Sequence, residues 1–194
     1  MGCEPDGVLP SVPPEARLNI FALVIYIPNP LGRFLDDLRR ELTPHANPRA
    51  HVSVLPPRPL NVAWGVAAAQ VRAMLEACAP FEVELTQVRT FPATDVIYLE
   101  VGAGASALEN LHGAIDHGDL RFAEPFPYCP HVTLAQEIPA ERLAELEGTA
   151  RRRWREFAGE RRFRAARAVL VQNTLQNQWI DLAEYELGAL AAKL

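Results

Sequence analysis

Two short stretches of this chain carry the residues best suited to chemistry. One reads His51-Val52-Ser53-Val54, and the other, eighty positions on, reads His131-Val132-Thr133-Leu134. Each is imidazole, apolar, hydroxyl, apolar. The chain holds five histidines, only ten serines and threonines together, and 49% hydrophobic residues. A given histidine then opens such a pattern with odds of roughly one in a hundred, and two do so on the order of once in a thousand. The chemistry that suits such a pair is in-line displacement at phosphorus. One imidazole takes a proton from the attacking oxygen and the other gives one to the leaving oxygen. An unperturbed imidazole can hold either role near neutral pH. Each hydroxyl can donate a hydrogen bond to a non-bridging phosphate oxygen, and the scheme needs no metal.

Such side chains need elements that aim them together. Both stretches are rich in β-branched and apolar residues, as a half-buried strand is. Side chains on a strand alternate faces, so His51 shares a face with Ser53, and His131 with Thr133. Val52, Val54, Val132 and Leu134 point into a core. The expectation is two neighbouring strands with both imidazoles facing one cleft. The competing reading is two core histidines beside ordinary strand hydroxyls, which leaves the repetition without a packing reason.

The repeated His-apolar-hydroxyl-apolar pattern resembles the 2H phosphoesterase superfamily, and within it the bacterial 2′-5′ RNA ligase and cyclic phosphodiesterase branch. The resemblance extends over most of residues 17–194. It takes in Tyr128-Cys129-Pro130 before the second motif, and Trp179-Ile180 and Tyr185-Glu186-Leu187 near the end. Ser53 stands where the family more often has threonine, which keeps the hydroxyl and loses a methyl. The resemblance implies an α+β fold of two pseudo-twofold-related lobes, with antiparallel sheets facing a central cleft. It also implies His51, Ser53, His131 and Thr133 as catalytic residues, no cofactor and no metal. The implied substrate is a 2′,3′-cyclic phosphate or 2′-5′ linkage in an RNA end or small cyclic nucleotide.

Composition sets limits. At 194 residues the chain is one domain, or two small lobes sharing a cleft, and can bury a sizeable core. A net charge of −5 argues against duplex DNA as a partner, though not against a single phosphate or an RNA end. Cys3, Cys78 and Cys129 form no C-x-x-C, which argues against a zinc ribbon or a disulfide framework and fits a reducing compartment. No apolar run reaches membrane-spanning length and no signal sequence opens the chain. Met1-Gly2-Cys3 starts like a myristoylation signal, but Asp6 stands where that signal needs a hydroxyl. A cytoplasmic monomer without membrane attachment is expected.

The remaining segments place the motifs. Residues 1–16, with four prolines and two glycines, are expected to be a disordered tail, and residues 17–194 one bilobal domain. Strands are expected at 18–27, 51–55, 81–91, 95–101, 131–135, 166–173 and 178–186. Helices are expected at 31–42, 62–78, 105–116 and 139–157, with a short apolar helix at the end. Each half then has one histidine strand between two helices. His45 lies in a loop and reads as a surface histidine. Pro56-Pro57-Arg58-Pro59 reads as an exit loop whose Arg58 either helps hold a phosphate or is solvated. Tyr128 either packs or meets a base or phosphate. His112 and His117, five apart and outside any H-E-x-x-H, are discounted as metal ligands. Eight arginines between 151 and 167 could touch RNA, but read better as a solvated, dipole-matched helix end.

Two other functions compete with the enzyme. One is a non-catalytic phosphate- or nucleotide-binding module with the same cleft. The other, a transition-metal site on the two histidines, lacks a visible third ligand.

Overall fold

The computed structural model describes residues 16–44 and 49–189. In chain order the described elements are β1 (Arg17–Tyr26), α1 (Leu31–Leu42), β2 (His51–Arg58), α2 (Trp64–Ala77), β3 (Phe81–Thr90), β4 (Ile97–Val101), α3 (Ala105–Ile115), β5 (His131–Ala135), α4 (Leu143–Glu156), β6 (Arg162–Ala165), β7 (Arg167–Thr174) and β8 (Trp179–Glu186). The strands form two four-stranded sheets, in the orders β2-β1-β7-β8 and β5-β4-β3-β6. All pairings are antiparallel. The architecture is α+β with two lobes, as expected.

Helix α1 shows why these elements form. Leu31, Leu35, Leu38 and Leu42 recur at helical spacing and are at most 3% exposed, while Arg39 and Arg40 sit in the last turn against the negative dipole end. Helix α1 joins β1 to β2 but packs on β5 and α4, in the other lobe. Helix α3 joins β4 to β5 and packs on β2 and α2. The units β1-α1-β2 and β4-α3-β5 are therefore the same device used twice. Each sends its helix to back the histidine strand of the opposite sheet. One contiguous core results, running from Leu35 and Leu38 through Val132 and Leu134 to Val52, Val54, Leu108 and Leu111.

Most expected elements recur within two residues of their bounds. The 139–157 helix instead begins with a 3-10 turn at Ala140–Arg142, and α4 proper starts at Leu143. Three expectations are corrected. Residues 56–58 are not an exit loop, because β2 runs on to Arg58 and pairs it with Phe21 of β1. Proline is tolerated there because β2 is the outer strand of its sheet, where a missing N–H need not break a ladder. The second is β6, hidden in the arginine run. Its Arg-Phe-Arg-Ala buries Phe163 and Ala165 and sets Arg162 and Arg164 opposite Glu84 and Glu82 of β3. Residues 187–189 form a turn rather than a helix, and the rest of the expected terminal helix lies outside the described residues, as do His45 and residues 1–15.

Arg58 itself is buried, with its side chain 1% exposed. It makes ion pairs with Asp116 and Glu124, and donates to the Leu120 and Pro56 carbonyls at 3.0 Å each. It is neither solvated nor open to a ligand: the guanidinium ties the end of β2 to the segment following α3. Arg58→Ala is expected to destabilise the fold by about 3–5 kcal/mol, because two carboxylates lose their shared cation. Equilibrium urea denaturation at neutral pH measures it.

Candidate active site

Strands β2 and β5 are each the outer strand of their sheet, and they touch each other. The first motif occupies the start of β2 and the second the start of β5. Exposure alternates along both as the pattern requires. Val52, Val54, Val132 and Leu134 are at most 1% exposed, while His51, Ser53, His131 and Thr133 are half-buried. The four polar side chains thus lie on the faces turned away from the core, on strands that adjoin.

Both imidazoles are held in the same way. His51 Nδ1 lies 2.8 Å from the Arg49 carbonyl, and His131 Nδ1 lies 2.7 Å from the Cys129 carbonyl, each two residues back. A carbonyl can only accept, so Nδ1 carries the hydrogen and the neutral ring presents the lone pair of Nε2. Burial lowers both pKa values from the ordinary 6.5. His51 falls to about 4, mainly through desolvation, with the charges of Arg39 and His131 adding to the drop. That the charge of His131 bears on His51 fits their placement on touching strands.

The two lobes surround these rings differently. Beside His51, Tyr26 stands edge-on at 6.3 Å, and the Arg49 guanidinium covers the tyrosine ring at 3.5 Å. Tyr26 donates to Asp181 at 2.7 Å, and Arg49 pairs with the same carboxylate at 2.6 Å. Beside His131, Phe91 and Tyr98 stack on each other at 3.9 Å and stand nearly perpendicular to the imidazole, at 5.0 and 5.4 Å. Glu100 lies directly across β4 from His131 and accepts from Gln87 at 3.0 Å and Thr86 at 3.2 Å. Among the described residues, no group of three or more His, Cys, Asp and Glu is placed to hold a metal ion.

The second lobe also grips the first motif from behind. Tyr128 donates its hydroxyl to the Ser53 carbonyl at 2.8 Å, and His112 Nδ1 donates to the Val54 carbonyl at 2.8 Å. Their rings stack at 3.9 Å and 2°. Burial first, then Glu124, raises the Tyr128 pKa and keeps the hydroxyl protonated as a donor. Tyr128 therefore positions β2, with its hydroxyl committed to backbone, and Arg58 lies deeper in the same network beside Glu124. The polar groups of both are engaged by the protein itself.

The sequence reading missed Tyr26, Arg49, Phe91, Tyr98 and Asp181, whose approach depends on strand pairing. The signal for Tyr98 was the alternation of β4, which puts Tyr98 and Glu100 on the face of Thr133 and His131. The arginine run is largely satisfied locally. Arg151 pairs with Glu147, Arg153 with Glu41, Arg162 with Glu84, Arg164 with Glu82 and Arg167 with Glu184. Arg161 lies over the Trp154 ring and donates to the last carbonyls of α4. No described helix is long and apolar enough to cross a membrane.

Comparison with known proteins bears on the family and the fold. Residues 27–177 match the family model described as the 2′-5′ RNA ligase superfamily. The protein named Putative phosphoesterase OB1230, from Oceanobacillus iheyensis, is 28% identical over 80 residues, 41% of this chain and 46% of that protein. That match spans about half the length of the curated relative. Among solved structures, TT0787 of Thermus thermophilus superposes with a TM-score of 0.62 at 14% identity, covering 87% of this chain and 98% of that one. Escherichia coli LigT, crystallised with 3′-AMP, superposes with a TM-score of 0.60 at 11% identity over 87% and 98% of the two chains. At such identities the likeness is one of fold.

The desolvation of His51 makes stability depend on pH. In the unfolded chain His51 takes up a proton near 6.5, whereas in the folded chain it does so only near 4. Between those values the unfolded state binds more protons, so stability falls as pH falls from about 6.5 to about 4. Denaturant unfolding across this range is expected to show that slope, and His51→Ala to reduce it, His131 supplying the remainder.

Proposed function

The chain belongs to the 2′-5′ RNA ligase superfamily, and from that premise we propose that it is a metal-independent phosphoesterase acting on a 2′,3′-cyclic phosphate or 2′-5′ phosphodiester of an RNA end or small nucleotide. One observation carries the reading. Two imidazole–hydroxyl pairs stand on touching outer strands, each ring with Nδ1 tied to a carbonyl and Nε2 left for chemistry. An acceptor and a donor of the same kind on two sides of one phosphate are what an in-line displacement needs. One Nε2 takes the proton of the attacking oxygen, and the other, protonated, gives its proton to the leaving oxygen. The hydroxyls of Ser53 and Thr133 donate to the non-bridging oxygens as charge gathers on them. These groups supply the acid, the base and the charge stabilisation, so the reaction has no step that requires a metal. The nucleotide class is supported by the family and by the 3′-AMP bound to Escherichia coli LigT. The protein acts in this proposal as a monomeric, single bilobal domain of the cytoplasm, where Cys78 and Cys129 are free thiols.

The test is a panel of 2′,3′-cyclic nucleotides and cyclic-ended RNA, with turnover followed in excess EDTA. Activity is expected to survive the chelator; loss restored by zinc or manganese would bring the metal reading forward. His51→Ala and His131→Ala should each lower kcat by about 10²–10⁴-fold. The double variant should lose far less than the product of the two, since a displacement lacking either partner is already crippled. Ser53→Ala and Thr133→Ala should cost about 10–10³-fold. Plotted against pH, kcat/KM should be bell-shaped with both limbs below 6.5, because both imidazoles are depressed from that value. Near-wild-type turnover in either histidine variant would overturn the paired-histidine mechanism, and nucleotide binding with no turnover by the wild type would leave a non-catalytic binding module as the better account.

A further inference from the structure

We propose that the Phe91–Tyr98 pair is a nucleobase platform, which seats the substrate with its ribose towards His131 and so makes His131 the proton donor to the departing ribose oxygen and His51 the acceptor of water's proton. This rests on the phosphoesterase reading and adds a direction to it.

The two imidazoles have unlike surroundings. On the His51 side the nearby aromatic ring is already covered: Arg49 lies over Tyr26 and is anchored by Asp181. On the His131 side two rings stack in parallel, 15° apart, and both are half-buried rather than sealed. Among the described residues no cation covers either ring. The pair is also rigidly placed. Tyr98 pairs with Thr133 across β4 and β5. Phe91 closes the turn between β3 and β4, donating to the Val96 carbonyl at 3.0 Å and accepting from Asp95 at 2.9 Å. Aromatic faces preset in this way suit a heterocyclic base, and stacking tolerates any base.

Direction follows from the substrate's own connectivity. In a 2′,3′-cyclic phosphate the departing oxygen belongs to the ribose, and the ribose carries the base. A base stacked on Phe91–Tyr98, next to His131, puts the departing oxygen on that side and the attacking water on the His51 side. Water's oxygen bonds to phosphorus as its proton passes to His51 Nε2. The phosphorus–ribose bond breaks as His131 Nε2 gives up its proton to the ribose oxygen. The desolvation that keeps His51 neutral suits it to the accepting role.

Calorimetric titration with two probes tests the platform without requiring turnover: adenosine 3′-monophosphate, and methyl riboside 3-phosphate, which lacks a base. Phe91→Ala is expected to weaken the nucleotide about 5–150-fold, as stacking of one base is worth about 1–3 kcal/mol. The base-free probe should change less than twofold, and Phe91→Trp should restore nucleotide binding. Equal losses for both probes would mean that the rings only hold His131, and no loss, or no nucleotide binding by the wild type, would also overturn the platform. For direction, the profile of kcat/KM against pH with a cyclic nucleotide should lose its acidic limb in His51→Ala and its alkaline limb in His131→Ala. The reverse assignment would overturn it. If the wild type binds the nucleotide through Phe91 but hydrolyses no cyclic phosphate, the phosphoesterase reading falls while the platform stands. If it hydrolyses base-free and base-bearing cyclic phosphates equally well, the platform falls and the phosphoesterase remains.

Discussion

The exchange of helices between the two lobes is the constraint on which the rest depends. Val52 and Val54 on β2, and Val132 and Leu134 on β5, are almost fully removed from water. Burying side chains of this size is worth about 1.5–3 kcal/mol each. The cover comes from across the molecule, α3 on β2 and α1 on β5. Neither lobe can complete its core alone, so the two histidine strands are fixed relative to one another by the same packing that stabilises the fold. The polar faces of the strands inherit their alignment from the apolar faces.

That packing also sets the electrostatics. Each imidazole is partly withdrawn from water, and this outweighs the proton-favouring carbonyl at its Nδ1, so both favour the neutral form. In the proposed reaction one ring has to carry a proton. An anionic phosphate between the rings supplies the opposite charge that raises proton affinity, so protonation of the donor accompanies substrate binding. In that reaction the free and occupied states of the site differ in charge.

Much of this was legible in the chain itself. The motifs encode their own strand geometry, because a period of two assigns faces with no knowledge of partners. The leucine stripe of α1 is equally local, and its bounds at 31–42 coincide with the structure. What escaped depends on distant partners. Pro56 and Pro57 read as a loop because nothing nearby shows that β2 is an outer strand. Arg58 read as a ligand for phosphate or water because its acids, Asp116 and Glu124, lie 58 and 66 residues away. Arg162 and Arg164 read as more of a basic run because their opposite numbers on β3 come far earlier in the chain. His112 was set aside as a metal ligand, and its hydrogen bond to Val54 could be seen only once α3 was known to cross to the other lobe.

The placement of both histidine strands at the margins of their sheets has a bearing on solubility. A bare strand margin offers unpaired amides and carbonyls to any other extended chain and is a common starting point for aggregation. Here β2 and β5 are turned against each other, and the carbonyls of Ser53 and Val54 are taken by Tyr128 and His112. The outward margins are guarded by charge instead: β6 is four residues long with two exposed arginines, and β8 exposes Asp181, Glu184 and Glu186. Residues that steady the site thus also keep its strands from recruiting foreign ones. Substitutions at Tyr128 or His112 would endanger the yield of folded protein as well as its activity.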